Sequence, residues 1–206
     1  MTETELTFLR NRLVGELPLC PANYASACVR QAATQFFRDS EVWRYDSEDI
    51  DIAKDQAIYE IVLEESSGVD IWRIDYAKYS GAVISEKEYT LEYLEVDEVY
   101  AYYFQFKEDY IPEEDVNDGL DITVVLASSV ISGYVDPAQW HRWSEAILSC
   151  ARVIAFTSPL RPWYSSIGQM TAMTEYNDWL ARARIERTQQ FSADGDLRVS
   201  NPEGWL

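Results

Sequence analysis

The sequence predicts an α+β protein: N- and C-terminal helices form a bundle, an antiparallel β-rich lobe is inserted between them, and an extended tail follows. Near both ends, apolar residues recur at spacings of three and four, as on one face of a helix. Between about residues 58 and 126 they recur at every second position, as in strands with one solvated face. The predicted units are residues 1–41, 42–136, 137–190 and 191–206.

Two helical segments are predicted before the lobe. The first lies within residues 1–17, where Leu6, Leu9, Leu13 and Val14 share one face. The second begins at Pro21, because the first turn of a helix does not need the N–H that proline lacks, and it ends near Asp39. Its apolar face consists of Ala25, Cys28, Val29, Ala32 and Phe36.

The inserted lobe is predicted to contain about five strands. Three segments alternate between apolar and polar residues: Ile58–Leu63, Val69–Tyr76 and Tyr89–Val96. Val99–Phe106 is apolar and aromatic without alternation, which predicts burial on both faces or a contact with a partner. Ile122–Leu126 is predicted to close the sheet.

Two further helices are predicted after the lobe. Asp136 is the expected N-cap of the first, followed by Pro137, and its buried face is Trp140, Trp143, Ile147, Cys150 and Ile154. The last helix is predicted from Ser166 to Gln189, with Ile167, Met170, Met173, Tyr176, Leu180 and Ala183 facing inward. Ser192–Leu206 has no periodicity and is predicted to be extended.

Charge argues against tight DNA binding. The 206 residues carry a net charge of −19, and residues 42–136 hold 24 acidic against six basic side chains. Such a surface repels nucleic-acid phosphates, although an acidic wall suits DNA that must slide past without adhering. No apolar run approaches the roughly 20 residues of a membrane span, so neither a secretion signal nor a membrane anchor is expected.

Catalytic and metal-binding patterns are scarce, which predicts a protein without enzymatic activity, cofactor or metal. A catalytic triad would have to use the single histidine, His141. Cys20, Cys28 and Cys150 match no zinc or disulfide spacing, so a reducing compartment is expected, with Cys28 and Cys150 buried. The acidic loop lacks the residue order of a calcium site; its carboxylates include Glu113, Glu114, Asp115 and Asp118.

Aromatic residues exceed what one core requires, with 7 Trp and 14 Tyr. The predicted sheet could present a stacking face for carbohydrate or bases, built from Trp72, Tyr76, Tyr79, Tyr89 and Tyr93. A protein interface is favoured instead, because Trp, Tyr and Arg are enriched at interfaces and the 13 arginines outnumber the four lysines.

Both ends of the chain resemble the head-to-tail adaptor (connector) proteins of tailed bacteriophages. At the start, the resemblance is carried by Leu19-Cys20-Pro21, Val29–Ala33, Phe36-Phe37 and Val42-Trp43-Arg44. At the end, it is carried by Ala146–Phe156, Pro159–Trp163 and Leu180–Arg184. It covers roughly residues 18–190 as an order of elements, and the middle matches only as a strand insert between helices.

The resemblance implies a structural virion protein at the head–tail junction, made in the host cytoplasm. Identical subunits, commonly twelve, would form a ring that joins the portal to tail or neck proteins and lines the DNA passage, with no specific DNA binding and no membrane contact. The implied subunit-interface residues are Arg161, Trp163, Arg182, Arg184 and Arg187. The implied portal-docking residues are Phe191, Leu197, Val199, Trp205 and Leu206.

Two alternatives from other functional classes remain open. The acidic lobe could imitate spaced phosphates, as in an inhibitor that mimics DNA. The aromatic residues of the sheet could instead form a carbohydrate-binding module.

Overall fold

A computed structural model describes residues 3–63, 68–96, 99–129, 133–157 and 159–193. Within these ranges the four α-helices are α1 (Glu3–Glu16), α2 (Ala22–Ser40), α3 (Pro137–Ala155) and α4 (Ser166–Ala193). The seven strands are β1 (Arg44–Ile52), β2 (Ile58–Ile61), β3 (Val69–Tyr79), β4 (Ala82–Ile84), β5 (Tyr89–Val96), β6 (Val99–Phe106) and β7 (Val116–Ser128).

The strands form two antiparallel sheets. The first has the order β1-β7-β3-β4 and the second the order β2-β6-β5. In the first sheet, β3 pairs with β7 along most of its length, for example Ile74 opposite Val124. On its other side, β3 pairs with β4 only over Ala77–Tyr79. This short pairing leaves part of one edge of β3 without a neighbouring strand in the described chain.

The predicted fold class is wrong in its architecture. We expected one inserted lobe of about five strands, separate from a helical bundle, but the described strands divide into two sheets within an α+β fold. One continuous core contains residues from the helices and from both sheets. Thr34 of α2 donates a buried 2.7 Å hydrogen bond to the carbonyl of Ser128 in β7. Helices and strands are therefore layers of one packed unit.

Local signals placed α2 and α3 correctly. The predicted apolar face of α2 is buried, as are most of the residues predicted for α3. The Asp136 carboxylate accepts hydrogen bonds from the backbone N–H groups of Ala138 and Gln139, which confirms it as the N-cap. Helix α2 ends at Glu41, whose left-handed backbone (φ 53°) lets its N–H bond the carbonyl of Phe37.

The aromatic strand β6 is buried mainly on one face. Tyr102, Phe104 and Phe106 are buried, whereas Ala101, Tyr103 and Gln105 are half-buried. Of the two predicted alternatives, burial on both faces does not hold for this part of β6, and contact with a partner stays a prediction. The ring of Phe106 packs edge-on against Tyr79 of the first sheet, with centroids 6.0 Å apart. Aromatic packing of this kind links the two sheets.

Helix α4 corrects two predictions. Tyr176, Leu180 and Ala183 are buried as expected, but Ile167 and Met170 are exposed, as is Met173 to a lesser degree. The helix also continues to Ala193, so Phe191, predicted to lie in the extended tail, belongs to α4. The other residues predicted for the portal-docking tail lie outside the described residues: Leu197, Val199, Trp205 and Leu206.

Candidate functional sites

A groove lies between the two sheets in the described part of the chain. Strand β4 ends at Ile84, and the chain then enters β5, which belongs to the second sheet. Consecutive residues Asp70–Ile74 of β3 form one wall, and residues from Tyr89 to Tyr93 of β5 contribute to the other. The pairing of β3 with β7 is irregular between Ile71 and Arg73, so side chains here do not alternate strictly, and the side of Asp70–Arg73 opposite β7 has no paired strand in the described chain. We call this cavity of about 810 Å³ the inter-sheet groove.

Arg38, near the end of α2, forms part of the groove wall. Its guanidinium carbon lies 4.4 Å from the ring centroid of Trp72, which is a cation–π contact. Its Nε is buried and has no hydrogen-bond partner in the described part of the chain. Trp72 is 45% exposed and Tyr93 is 65% exposed. A cation and two exposed rings therefore meet in one concave surface.

Asp70 is the buried acid of the groove. Tyr102 donates a long hydrogen bond of 3.4 Å to its carboxylate. Burial raises the pKa of Asp70, and this rise exceeds the opposing effects of Arg38 and Tyr102. Arg38 thus compensates only part of the cost of burying Asp70.

A cluster of arginines and carboxylates joins α2, β1, β3 and α4. We call it the junction cluster; it consists of Glu41, Arg44, Arg73, Asp75 and Arg187. Arg73 forms a bidentate pair with Glu41, at 2.8 and 2.7 Å, and a 2.9 Å pair with Asp75. Arg187 reaches Glu41 and Asp75 at 2.5 and 2.9 Å. Arg44 pairs with Asp75 at 2.8 Å.

Burial and charge explain the electrostatics of the junction cluster. The Asp75 side chain is only 4% exposed, and it is compensated by three arginines. The hydrogen bonds from Arg73, helped by Arg187, hold the pKa of Glu41 below its usual value despite partial burial. The same pair raises the pKa of Arg73. The cluster fixes the C-terminal half of α4 to the first sheet.

Tyr176 makes a second link between α4 and α2. Its hydroxyl donates a 2.8 Å hydrogen bond to the carboxylate of Asp39. Burial is the main cause of the raised pKa of Tyr176, with Cys150 and Asp39 adding to it. Burial also raises the pKa of the Cys150 thiol to about 12 and that of Cys28 to about 11, so the prediction of buried thiols is confirmed.

Four large apolar side chains in the described part of α4 are exposed, three of them in its first turns and the fourth about three turns later. Ile167 is 76% exposed, Met170 72% and Ile185 59%. At 3.6 residues per turn, Ile185 lies about five turns after Ile167 and on the same side, opposite the buried Tyr176 and Ala183. We call this surface the outer face of α4; it consists of Ile167, Met170, Met173 and Ile185.

The predicted interface residues have different environments. Arg184 donates to the carbonyl of Asp39, at 3.0 Å, and Arg187 belongs to the junction cluster, so both have partners within the chain. Arg182 lies over the ring of Trp179, with 4.8 Å between guanidinium carbon and ring centroid. Arg161 lies 5.5 Å from the ring centroid of Tyr24 and 5.7 Å from that of Trp163, and these two rings pack against each other. Trp163 is buried and donates to the carbonyl of Ala155.

The predicted acidic loop is exposed but partly ordered by its own hydrogen bonds. Asp115 accepts a 2.7 Å hydrogen bond from the N–H of Lys54, while Glu113 and Glu114 face solvent. The N–H of Asp118 donates to the carboxylate of Asp51 at 3.0 Å. Among the described residues, no group of His, Cys, Asp and Glu side chains has the geometry of a metal site. His141 is exposed on α3 and does not line the inter-sheet groove.

Membrane insertion through a helix has no candidate in the described chain, since none of its helices combines the necessary length and apolar character. Comparison with known proteins adds no family: no protein-family model and no curated protein sequence matches this chain.

Sequence reasoning missed the groove and the junction cluster. Arg38 and Trp72 are 34 positions apart, and Glu41 and Asp75 are also 34 positions apart, so no local pattern connects them. The only available signal was the high arginine content, which favours bidentate pairs with carboxylates.

Proposed function

We propose that this protein is a structural head-to-tail adaptor of a tailed bacteriophage, which forms a ring of identical copies between the portal and the tail and has no catalytic role. The observation that carries the proposal is the outer face of α4, because it presents Ile167, Met170 and Met173 to solvent in the first turns of the helix and Ile185 about three turns later. The resemblance of both ends of the chain to the adaptor family agrees with this reading.

The outer face of α4 has the properties of a subunit contact. Contiguous apolar surface on a folded chain marks interaction sites more often than isolated exposed residues do. Methionine is enriched at interfaces and adapts its shape to a partner. Near the start of α4, Leu160 is also exposed, by 93%. A closed ring uses heterologous contacts, so this face would pack against a different surface of the next copy.

The negative charge of the remaining surface supports its proposed role as the lining of a DNA channel. Residues 42–136 carry 18 of the 19 net negative charges, so a channel lined by them offers phosphates little counter-charge. The arginines proposed for the interface are fewer than we expected, because Arg184 and Arg187 pair within the chain. Arg161 and Arg182 remain candidates for contacts with an acidic neighbour.

The inter-sheet groove favours a second candidate, a carbohydrate-binding module, because Trp72 and Tyr93 are exposed there. The cation–π contact with Arg38 covers part of the Trp72 ring and reduces the area on which a sugar could stack. The adaptor proposal therefore ranks first.

Electron microscopy of the full chain, mixed with the portal protein encoded in the same genome, tests the adaptor proposal. We expect a ring of density stacked on the portal. Met170→Glu should abolish this ring, since it places a charge in the apolar contact. Gln31→Glu is the matched control, because it adds the same charge at an exposed position of α2. No ring with the wild-type chain, or an equal loss with both variants, would overturn the proposal.

A further inference from the structure

The open edge of β3 is the starting point for an inference beyond the adaptor role. An edge strand presents N–H and C=O groups that can pair with another chain. In the described chain, β4 covers this edge only at Ala77–Tyr79, and Asp70–Arg73, which lines the groove, has no strand beside it on the side opposite β7. An extended segment placed there would continue the line of β4.

The size of the groove is compatible with such a segment. Its volume of about 810 Å³ falls within the roughly 300–1,000 Å³ of ligand pockets. The opposite wall includes β5, the edge strand of the second sheet. Trp72 and Tyr93 are exposed at the groove and offer apolar contacts to side chains of an added strand.

The positive charge of Arg38 indicates that the expected ligand is negatively charged. Arg73, the other arginine of the groove, already pairs with Glu41 and Asp75. Arg38 acts on Asp70 electrostatically but forms no salt bridge with the described residues, and its buried Nε has no hydrogen-bond acceptor there. A buried donor left without an acceptor costs free energy, and a carboxylate is the acceptor that a guanidinium binds best.

We propose that the inter-sheet groove binds an extended acidic segment of a partner protein, which pairs with the Asp70–Arg73 edge of β3 and places a carboxylate on Arg38. Backbone pairing would supply affinity for an extended chain, and Arg38 would select an acidic one. This binding site is separate from the outer face of α4, so it does not depend on ring formation.

Fluorescence anisotropy with defined peptides tests the proposal on the full chain. The probe is a labelled heptapeptide, Thr-Val-Thr-Glu-Thr-Val-Thr. One control peptide carries Gln in place of Glu, and a second carries N-methyl groups at alternate backbone nitrogens, which removes its donors. We expect saturable binding of the Glu peptide, about tenfold weaker binding of the Gln peptide, and loss of binding of the N-methyl peptide.

Protein variants then test whether Arg38 is the cation that binds the Glu carboxylate of the peptide. Arg38→Met keeps the aliphatic stem and should weaken the Glu peptide about tenfold while leaving the Gln peptide unchanged. Arg10→Met on α1 is the control with the same charge change and should bind like the wild type. The peptide comparisons use the wild-type protein, so they remain decisive even where Arg38→Met folds poorly.

Four outcomes would overturn the proposal. They are no saturable binding of the Glu peptide up to about 1 mM, equal affinity for the Glu and Gln peptides, undiminished binding of the N-methyl peptide, and displacement of the probe by a soluble glucan rather than by unlabelled peptide. The last outcome would favour the carbohydrate-binding alternative.

Discussion

The two halves of helix α4 serve different purposes. The C-terminal half is fixed to the rest of the chain by buried Leu180 and Ala183 and by Arg187 in the junction cluster, and Tyr176, just before the middle of the helix, adds a hydrogen bond to Asp39. The N-terminal half exposes Ile167 and Met170. The comparison teaches that an apolar residue on a helix need not belong to the core of its own chain. The C-terminal half stabilises the fold, and the N-terminal half leaves Ile167 and Met170 exposed to solvent.

The largest expected effect comes from breaking the junction cluster. Asp75→Asn removes a buried carboxylate shared by Arg44, Arg73 and Arg187, and should lower the free energy of unfolding by about 3 kcal/mol. Urea unfolding measures this change as a lower midpoint at constant slope. Asp178→Asn, at an exposed position of α4, is the control and should change stability little. Equal stability of both variants would show that the cluster does not fix α4.

A smaller effect is expected from the hydrogen bond between Tyr176 of α4 and Asp39 of α2. Tyr176→Phe removes the hydroxyl that donates to Asp39 and should cost about 1 kcal/mol. Thermal unfolding followed by circular dichroism gives the measurement, with Tyr164→Phe, a more exposed tyrosine, for comparison. If the two variants melt together, the hydrogen bond contributes nothing to stability.

The pH dependence of stability should reflect Glu41. Its pKa is lower in the folded chain than the ordinary value of 4.5, so its contribution is present above pH 4.5 and is lost as pH falls through the folded value. Glu41→Gln should therefore flatten the loss of stability below pH 4.5. Glu113→Gln, which removes an exposed carboxylate, serves as the control. An unchanged acid slope in Glu41→Gln would contradict the assignment.

The smallest effect on stability is expected at the outer face of α4. Ile167→Ser should change the free energy of unfolding by no more than about 0.5 kcal/mol, because this side chain is already solvated in the single chain. Leu180→Ala, on the buried face, should cost about 2 kcal/mol or more. Denaturant unfolding of both variants makes the comparison. A large loss in Ile167→Ser would place this residue in the core after all.

Sequence reasoning predicted the helices better than the sheets. The spacing of apolar residues in α2 and the cap at Asp136 are local features, and both were predicted correctly. The acidic strand β1 was missed, because charged residues dominate Arg44–Ile52 and obscure its alternation. The division into two sheets was also missed, since β6 pairs with both β2 and β5 and sequence alone does not reveal such non-local pairings.

The candidate sites were less predictable than the fold. Apolar residues occupy both sides of α4, so spacing alone did not show that Ile167 and Met170 face away from the core. The aromatic residues of the predicted sheet were recognised as a group, but their placement in two different environments was not predicted. Trp72, Tyr89 and Tyr93 line the groove, whereas Tyr79 packs against Phe106. Arg38 carried no signal in the sequence beyond its position near the end of a helix.

The placement of the three thiols offers a way to watch the helices separately from the second sheet. Cys20, Cys28 and Cys150 are all buried, and the sequence contains no other cysteine. A thiol-specific reagent can modify them only when this part of the chain opens, because the reactive thiolate is both shielded and scarce. The labelling rate in native buffer therefore measures how often the helices open. A peptide bound to β3 would slow labelling only if the helices and the first sheet open together.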